Sequence, residues 1–550
     1  MSDDADTIIK HQALLESRRA NFDTWWQDIA YRVLPADAQF TTIDAEGTKR
    51  TERLFDATAA KNNRKFAAIL EDMATPLTQR WHGLESQSDE LTEDQEVDEY
   101  LDAETKALFK ARYRFESMFA ANRSKNYLNI GAFGNAVLFV DEVMGFGAKY
   151  LSCHMREITY AEDTYGRIDT LYRKFNISGR NAVKRFGDQL SAKLKGEMSS
   201  KPFDTWAFIH CTRPNEERIS GRIDAAGMPF AYEFLSLDDK SIVEHGGYPE
   251  WPWSISRYSV AVGETYARSP AMECWPAIMT LQEQKKTILR AGQKEVDPPV
   301  LLTDEGVLGQ FNLKSSALNY GGLSSDGSVL AAPFKTGANI PLGLELMQLE
   351  KGDVDDSFLT SLWSMIVNEN VETAAQVFEL ARMRSINIAP VYNRLVGEDL
   401  GPLIKRERGI LHRRNMALNG ALLPQMPRQL MEAGDEVEPE YTSPLARTMR
   451  AQDGVAILRT FEVAEAAGKV DPKALNVLRA PEMLRELAEI SGVPAKLLRS
   501  LDEIEAMGAA QDADEAEVAA AAVAPELSQA ALNAAKASEL RGGSPVLAPV

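Results

Sequence analysis

Apolar residues in the first third of the chain recur at helical spacing. In RRANFDTWWQDIAYRVLP (18–35), Phe22, Trp25, Trp26, Ile29 and Val33 fall three or four residues apart, and Pro35 closes the helix they predict. FDATAAKNNRKFAAILEDMATPLTQRWHGL (55–84) predicts a second helix, a turn at Pro76 and a return of Trp81 to a core. RFESMFAANRSKNYLNIGAFGNAVLFVDE (114–142) begins as helix; Gly131 and Gly134 then precede AVLFV, a short apolar run typical of a buried strand. Between 150 and 260 the texture changes. ITYAEDTYGRIDTLYRKFNI, TWAFIHCTRP and FAYEFLSL are β-branched and aromatic runs divided by turn residues, so a β-rich module is expected. A short helix, SGRNAVKRFG, interrupts it, with Ser178 at the N-cap position.

After SPAM (269–272) a helical pattern runs to about Lys294. Trp275, Ile278, Leu281, Ile288 and Leu289 share its inner side, and Glu283, Lys285, Lys286 and Arg290 its outer face. About 22 residues at 1.5 Å each give a rod of about 33 Å, and DPP (297–299) stops it. A Gly/Ser-punctuated insert follows, read as short strands and loops and ended by Pro341 and Gly343. A second segment of similar reach, LELMQLEKGDVDDSFLTSLWSMI (344–366), comes next, weakened as a helix by Gly352, Asp353, Asp355 and Asp356. Two helices of matched length around a small β insert predict an out-and-back stalk with a cap.

The bare run Asn368, Glu369, Asn370, Val371 and Glu372 stands directly after that stalk. Thr373 with Gln376 fits a capping box, so the run is a loop between two long helices. Val377, Phe378, Ala381, Ile388, Val391, Tyr392 and Leu395 extend the new helix, and Pro390 and Pro402 should kink or break it. Residues 445–507 read as short helices separated by Pro472, Pro481 and Pro494. The Ala-rich tail, 509–550, is either disordered or helical in an assembly.

Composition narrows the chemistry. A chain of 550 residues suggests three or four units, with ample length to bury cores. It carries 61 Lys and Arg against 81 Asp and Glu, a formal charge of −20, so it does not coat DNA as a basic protein would. Cys153, Cys211 and Cys274 match no zinc or disulfide spacing, and a reducing cytosol is the expected home. No run of 18 apolar residues appears, and MSDDADTIIKHQ has no basic and apolar leader, so neither membrane span nor secretory signal is expected. MGFGAKY (144–150) lacks the spacing of a nucleotide phosphate loop. The six histidines form no metal motif, and no cofactor is expected. Cys153–His154 and His210–Cys211 are either nucleophile–base pairs or packing residues on strands. The DVDD run (353–356) is either a divalent-metal cluster or an acidic stripe facing solvent or a pore.

The order of these signatures resembles the head-to-tail connecting (portal) proteins of short-tailed bacteriophages over about residues 15–420. The matching landmarks are LFDATAAKNNRKFAAILEDMATPLTQRWHGL, GAFGNAVLFVDE, GRIDTLYRKFNISGRNAVKRFG, RYSVAVGETYARSPAM, EVDPPVLL, ETAAQVFE and GEDLGPLIKRERGIL. ARSP departs from the Gly-Arg-Gly-Pro frequent in such proteins, as does the polar, Gly-broken second stalk helix. The resemblance implies an α+β subunit that is no enzyme. It would have a mixed α/β wing (1–270 and much of 373–440), a two-helix stem (271–294 and 344–366), a small β-rich clip (295–343) and a helical crown within 441–508. It implies a homo-oligomeric ring, usually of twelve, at one capsid vertex, through which double-stranded DNA is packaged and ejected. Partners would be the large terminase subunit, major capsid and scaffold proteins, a tail adaptor and internal core proteins, with no membrane. Asn368–Glu372 would be the tunnel loop. Glu345, Glu350, Asp353, Asp355 and Asp356 would be channel lining, or else outward solvated carboxylates. Lys285, Lys286 and Arg290 would be a basic stem face, and Asp304, Glu305, Lys314, Asp326 and Lys335 clip contacts. A different ring-forming head-tail adaptor and a metal-dependent DNA-processing enzyme are the alternatives.

Overall fold

The first apolar pattern forms one helix, α1 (Ala5–Val33). It belongs to a computed structural model that describes residues 5–88, 91, 94–298, 300–302, 323, 325–327, 329, 331–333, 339–360, 388–433, 437–444, 446, 451–468 and scattered positions from 478 to 488. The helix begins well before the expected residue 18, because Ala5 and Ile8 are buried against Tyr172, Ile209, Cys211 and Leu235 of a sheet. At its other end Trp26 is fully buried, donates its indole N–H to the Phe133 carbonyl at 3.0 Å and packs on Phe40 and Tyr266. Contacts divide the chain into two units, 1–370 with 384–446 and 371–383 with 447–550.

In the first unit α2 (Thr58–Ala74), β1 (Glu85–Ser86), α3 (Gln95–Arg112) and α4 (Phe119–Phe133) precede the strands. α3 was not expected from apolar spacing; Asp94 caps it, accepting from the amides of Glu96 and Val97. β2 (Asn135–Val143), β3 (Gly147–Cys153) and the later β9 (Trp253–Arg257) form an antiparallel sheet in the order β3-β2-β9. AVLFV is its buried central strand, as expected. Gly134 joins α4 to β2 at φ 74°, where a Cβ would lie 2.6 Å from the Arg268 carbonyl carbon, so the junction requires glycine.

A five-stranded antiparallel meander makes up the β-rich module: β4 (Ile158–Glu162), β5 (Ile168–Ser178), β6 (Thr205–Pro214), β7 (Phe230–Ser236) and β8 (Ser241–Tyr248). Two helices, α5 (Gly179–Phe186) and α6 (Ala192–Ser200), lie between β5 and β6 and cover one face through Phe186, Leu194, Met198, Phe208 and Phe234. α1 covers the other face. Ser178 does occupy the N-cap position of α5, but its side chain makes no capping bond; Ser191 caps α6 instead, 3.3 Å from the Leu194 amide.

After β9 (Trp253–Arg257) come α7 (Pro270–Glu273), α8 (Trp275–Val296), a two-stranded ladder of β10 (Val300–Leu302) and β11 (Ala331–Pro333), and α9 (Ile340–Ser357). The second stalk helix differs from the 344–366 expected. Asn339 caps it, and Pro341 sits in the first turn, where a missing N–H costs nothing. It ends at Ser357, and Leu359 then takes a left-handed φ of 56°. Helix 388–395 leads into a π-helical turn, Val396–Leu400, and then α10 (Gly401–Ala417). Pro402 therefore starts α10 and the break takes the form of that π turn. α11 (Arg428–Ala433) and β12 (Val437–Glu438), paired with β1, complete this unit. In the second unit α12 (Ala451–Gly468) is helical, as its pattern predicts.

Two histidines are buried in the neutral state. Burial, then the Arg112 guanidinium, pushes His82 well below its ordinary pKa. Burial, then Arg185, does the same to His210, which stacks on Phe234 at 4.1 Å. A histidine whose folded pKa is depressed binds its proton first in the unfolded chain, so stability is lost as pH falls below the unfolded value of about 6.5. Below that pH the unfolding free energy should drop by about 1.4 kcal/mol per pH unit for each histidine. In urea titrations from about pH 7.5 to pH 5, His210→Phe, which keeps the stack, should flatten this slope by about one proton; an unaltered slope contradicts the assignment.

Candidate functional site

The α8/α9 hairpin is built from both ends. At its root Ser269 Oγ donates to the Ala132 carbonyl (2.9 Å) and accepts from the Met272 amide (3.1 Å), which fixes the start of α7 to the end of α4. Ser357 bonds the Cys274 thiol, and a Cβ on Gly343 would lie 3.2 Å from Ile288. Ile340 borders the groove formed by Ile288 to Asp297. The two helices therefore run antiparallel, with β10 and β11 at the far end. Their 22 and 18 residues span about 33 and about 27 Å.

Side chains 226 to 293 residues apart hold this hairpin to the rest of the first unit. Gln282 is buried; its Oε1 accepts from the amides of Phe55 (2.7 Å) and Asp56 (3.0 Å), and its Nε2 donates to the Asp56 carbonyl (2.7 Å). Asn62 of α2 donates to Asp355 at 2.5 Å, and Phe66 meets Phe358 edge-on at 6.2 Å.

These anchors fix where the candidate charges point. Asp355 turns toward α2, whereas Glu345, Asp353 and Asp356 are exposed and Glu350 is half-buried. The carboxylates of the DVDD run thus diverge, and among the described residues no three His, Cys, Asp or Glu side chains gather as a metal site. Met347 and Val354 are the buried side of α9. On the opposite side Leu342, Leu346, Leu349, Asp353 and Asp356 follow at three- and four-residue steps, so one face is apolar toward the far end and acidic toward the root. On α8, Lys286 pairs with Glu283 at 3.3 Å and lies over the Phe55 ring, Lys285 is half-buried and Arg290 exposed. Asp326 stands in an exposed turn between the bridged Leu323 and Val329. Asp304, Glu305, Lys314, Lys335 and the run Asn368–Glu372 lie outside the described residues. Cys153–His154 and His210–Cys211 are packing residues: both thiols are buried and in no disulfide, burial pushes the Cys153 thiol up to about 11, and His210 sits among aromatic rings.

The return helix is held by something that apolar spacing does not reveal. Asp399, in the π turn, is fully buried and forms an ion pair with Arg123 of α4 (2.8 Å) while accepting from Ser254 and Ser256 of β9. Next to it Glu398 takes both the Nε (2.6 Å) and Nη2 (2.8 Å) of Arg257, which also pairs with Glu162. Further along, Glu407 receives Arg112 (3.0 Å) and the Tyr150 hydroxyl (2.5 Å), and Arg406 binds Glu250 (2.8 Å). Burial pushes Glu104 upward, but bonds from His412 and Arg408 outweigh it and leave the carboxyl below its usual value. The available signal was the alternation of charges in GEDLGPLIKRERGIL on a helix that must also be buried.

A model of the family described as bacteriophage head to tail connecting protein matches residues 5–498. The chain belongs to this family. It is similar to the portal protein of Salmonella phage epsilon15, with 23% identity covering 96% of this chain and 94% of that one. It is also similar to the probable portal protein of Bordetella phage BPP-1, with 24% identity covering 89% and 88%. A head-to-tail connecting protein is a structural component of the phage virion, located at the capsid vertex, and not an enzyme.

The hairpin's fixture to the first unit rests on Gln282. Gln282→Ala leaves the Phe55 and Asp56 amides without an acceptor, and the expected loss is about 2–4 kcal/mol in chemical denaturation. Gln282→Met, which keeps much of the volume but neither acceptor nor donor, should lose a similar amount; an Ala variant within about 0.5 kcal/mol of the native chain contradicts this anchor.

Proposed function

We propose that copies of this chain close into a ring, twelve in the arrangement usual for such proteins, and that its bore passes double-stranded DNA into the head during packaging and out during ejection. The observation that carries this reading is the apolar surface left on the α8/α9 hairpin. Leu342, Leu346 and Leu349 are 50%, 47% and 69% exposed on α9, and Leu289 and Val296 are 49% and 88% exposed on α8. Beside them, grooves of about 560 and 840 Å³ open along the pair, floored in part by Gly292 and Gly343. A ridge of leucines and a groove on one element suit a head-to-tail contact between copies, and such contacts close into rings. In this arrangement the hairpin is the stem, the rest of the first unit the wing, and residues 295–343 the clip.

The acidic half of the α9 face then opens toward the bore. Repeated around a ring, Glu345, Asp353 and Asp356 become stacked circles of negative charge, with Glu350 at their edge. A duplex has one phosphate per about 1.7 Å of axis and would bind a basic wall strongly through counterion release. An acidic wall keeps it moving, and at physiological salt the repulsion reaches only about 8 Å. Asp355 is committed to Asn62 and adds little to this lining. Lys285 and Arg290 supply the opposite charge for contacts between neighbouring stems, and Asn368–Glu372 are the loop directed at the DNA. The motor is a separate ATPase, the large terminase subunit. It docks at the clip, where Asp326 and its neighbours also meet the tail adaptor, while capsid, scaffold and core proteins meet the remaining surfaces.

Negative-stain microscopy of the purified chain should show rings with a central hole. Leu342→Ser, Leu346→Ser and Leu349→Ser together should leave folded monomers, with an unchanged circular-dichroism spectrum. Native protein that stays monomeric at every salt and concentration contradicts the ring, and a triple variant that still forms rings removes the leucine ridge from it.

A further inference from the structure

One patch of the first unit, away from the α8/α9 hairpin, combines unpaired positive charge with exposed apolar side chains. The turn before α4 presents Phe115, 83% exposed, and the β2–β3 turn presents Met144, fully exposed. Both turns are stiff. Ser117 Oγ is buried and engaged with the Arg114 carbonyl, and Met118 holds a left-handed φ of 60° while its carbonyl accepts from Asn122 at 2.8 Å. In the second turn Phe146 N–H donates to the Val143 carbonyl at 3.0 Å, and Gly145 and Gly147 take φ of 76° and 113°.

Two cations lie over the half-buried Phe146, and a third stands beside Gly147. The Arg114 guanidinium lies 5.7 Å and the Lys149 ammonium 4.9 Å from its ring centroid. Arg414 of α10 packs against Gly147, its Nη1 3.3 Å from where a Cβ would stand. Among the described residues neither Arg114 nor Arg414 has a carboxylate partner, and the Arg414 Nε is buried without a hydrogen bond. Burial and then Arg114 lower the pKa of Arg414, so the two charges repel. Glu116 is exposed on the same turn and bonds to neither, and Glu142 is taken by Arg413. Arg114 is exposed and Arg414 half-buried, so both charges stand at the surface beside these apolar side chains.

We infer that this patch is a docking surface for another virion protein, and that it takes an acidic polypeptide segment bearing an apolar anchor. Carboxylates answer Arg114, Arg414 and Lys149, and the anchor packs among Phe115, Met144 and Phe146. Stiff turns limit the ordering entropy lost on binding. A nucleic acid fits less well, because three cations are few for a phosphate backbone and the fully exposed Met144 offers an apolar contact rather than a ring to stack on. The inference does not depend on the ring.

The test uses the full chain and a fluorescein-labelled 16-residue peptide of alternating Glu or Asp with Leu or Phe, read by anisotropy. Two controls are the same peptide with Lys in place of the acids and a short DNA duplex. Binding of the acidic peptide is expected, falling at least tenfold in Arg114→Glu with Arg414→Glu, while the same variant gains affinity for the Lys peptide. Phe115→Ser with Met144→Ser, both at exposed positions, should also weaken the acidic peptide. Equal binding by native and charge-reversed chains overturns the inference. So does an Arg114- and Arg414-dependent preference for DNA, or self-association that disappears in the charge-reversed variant.

Discussion

A buried carboxylate fixes the position of the return helix. Asp399 has no access to water, and an unpaired charge there would be untenable. Arg123 from α4 and the hydroxyls of Ser254 and Ser256 from β9 converge on it, so helix, sheet and return helix can meet in only one register. Removing one partner of such a pair costs about 3–5 kcal/mol, more than a typical core truncation of one methyl group. The π turn belongs to the same constraint. It lets Glu398 and Asp399, adjacent in sequence, reach different arginines while Pro402 opens the next helix without an N–H to satisfy.

With that frame held, the hairpin of α8 and α9 projects from a firm base but has little to bury against beyond its root. Gln282, Asn62 and Phe66 attach the root, whereas Leu342, Leu346 and Leu349 are exposed on the side of α9 opposite the buried Met347 and Val354. That contrast, a tightly satisfied polar root and an unsatisfied apolar shaft, is what a stem shared between subunits requires. It also explains the composition of α9: helix propensity is sacrificed at Gly343 for close approach to Ile288, and the acidic residues stay where water reaches them.

Where local spacing and tertiary packing agree, the sequence was readable. Trp26 with Ile29, AVLFV, and Ile278 with Leu281 each marked an element and its buried side. α3 escaped because Glu104, a charged residue at a fully buried position, interrupts its apolar face; Arg408 and His412, some three hundred residues away, neutralise it. Pro341 read as a stop although a first-turn proline is harmless, and Leu359 broke a helix without a glycine or proline to announce it. The direction of each stalk charge was less legible still. Asp353 and Asp355 are two residues apart, yet only a contact with Asn62 separates the exposed one from the anchored one. In the proposed ring, the rest is left to neighbouring copies.

The central claim is that a second copy covers the leucine face of the stem. The three native cysteines are all buried, so a cysteine placed there reports on its own surroundings. Maleimide labelling of Leu346→Cys, followed in the assembled fraction and again after mild dissociation, tests the claim most directly. The account predicts slow labelling in the assembly and fast labelling once it comes apart. Equally fast labelling in both would contradict it.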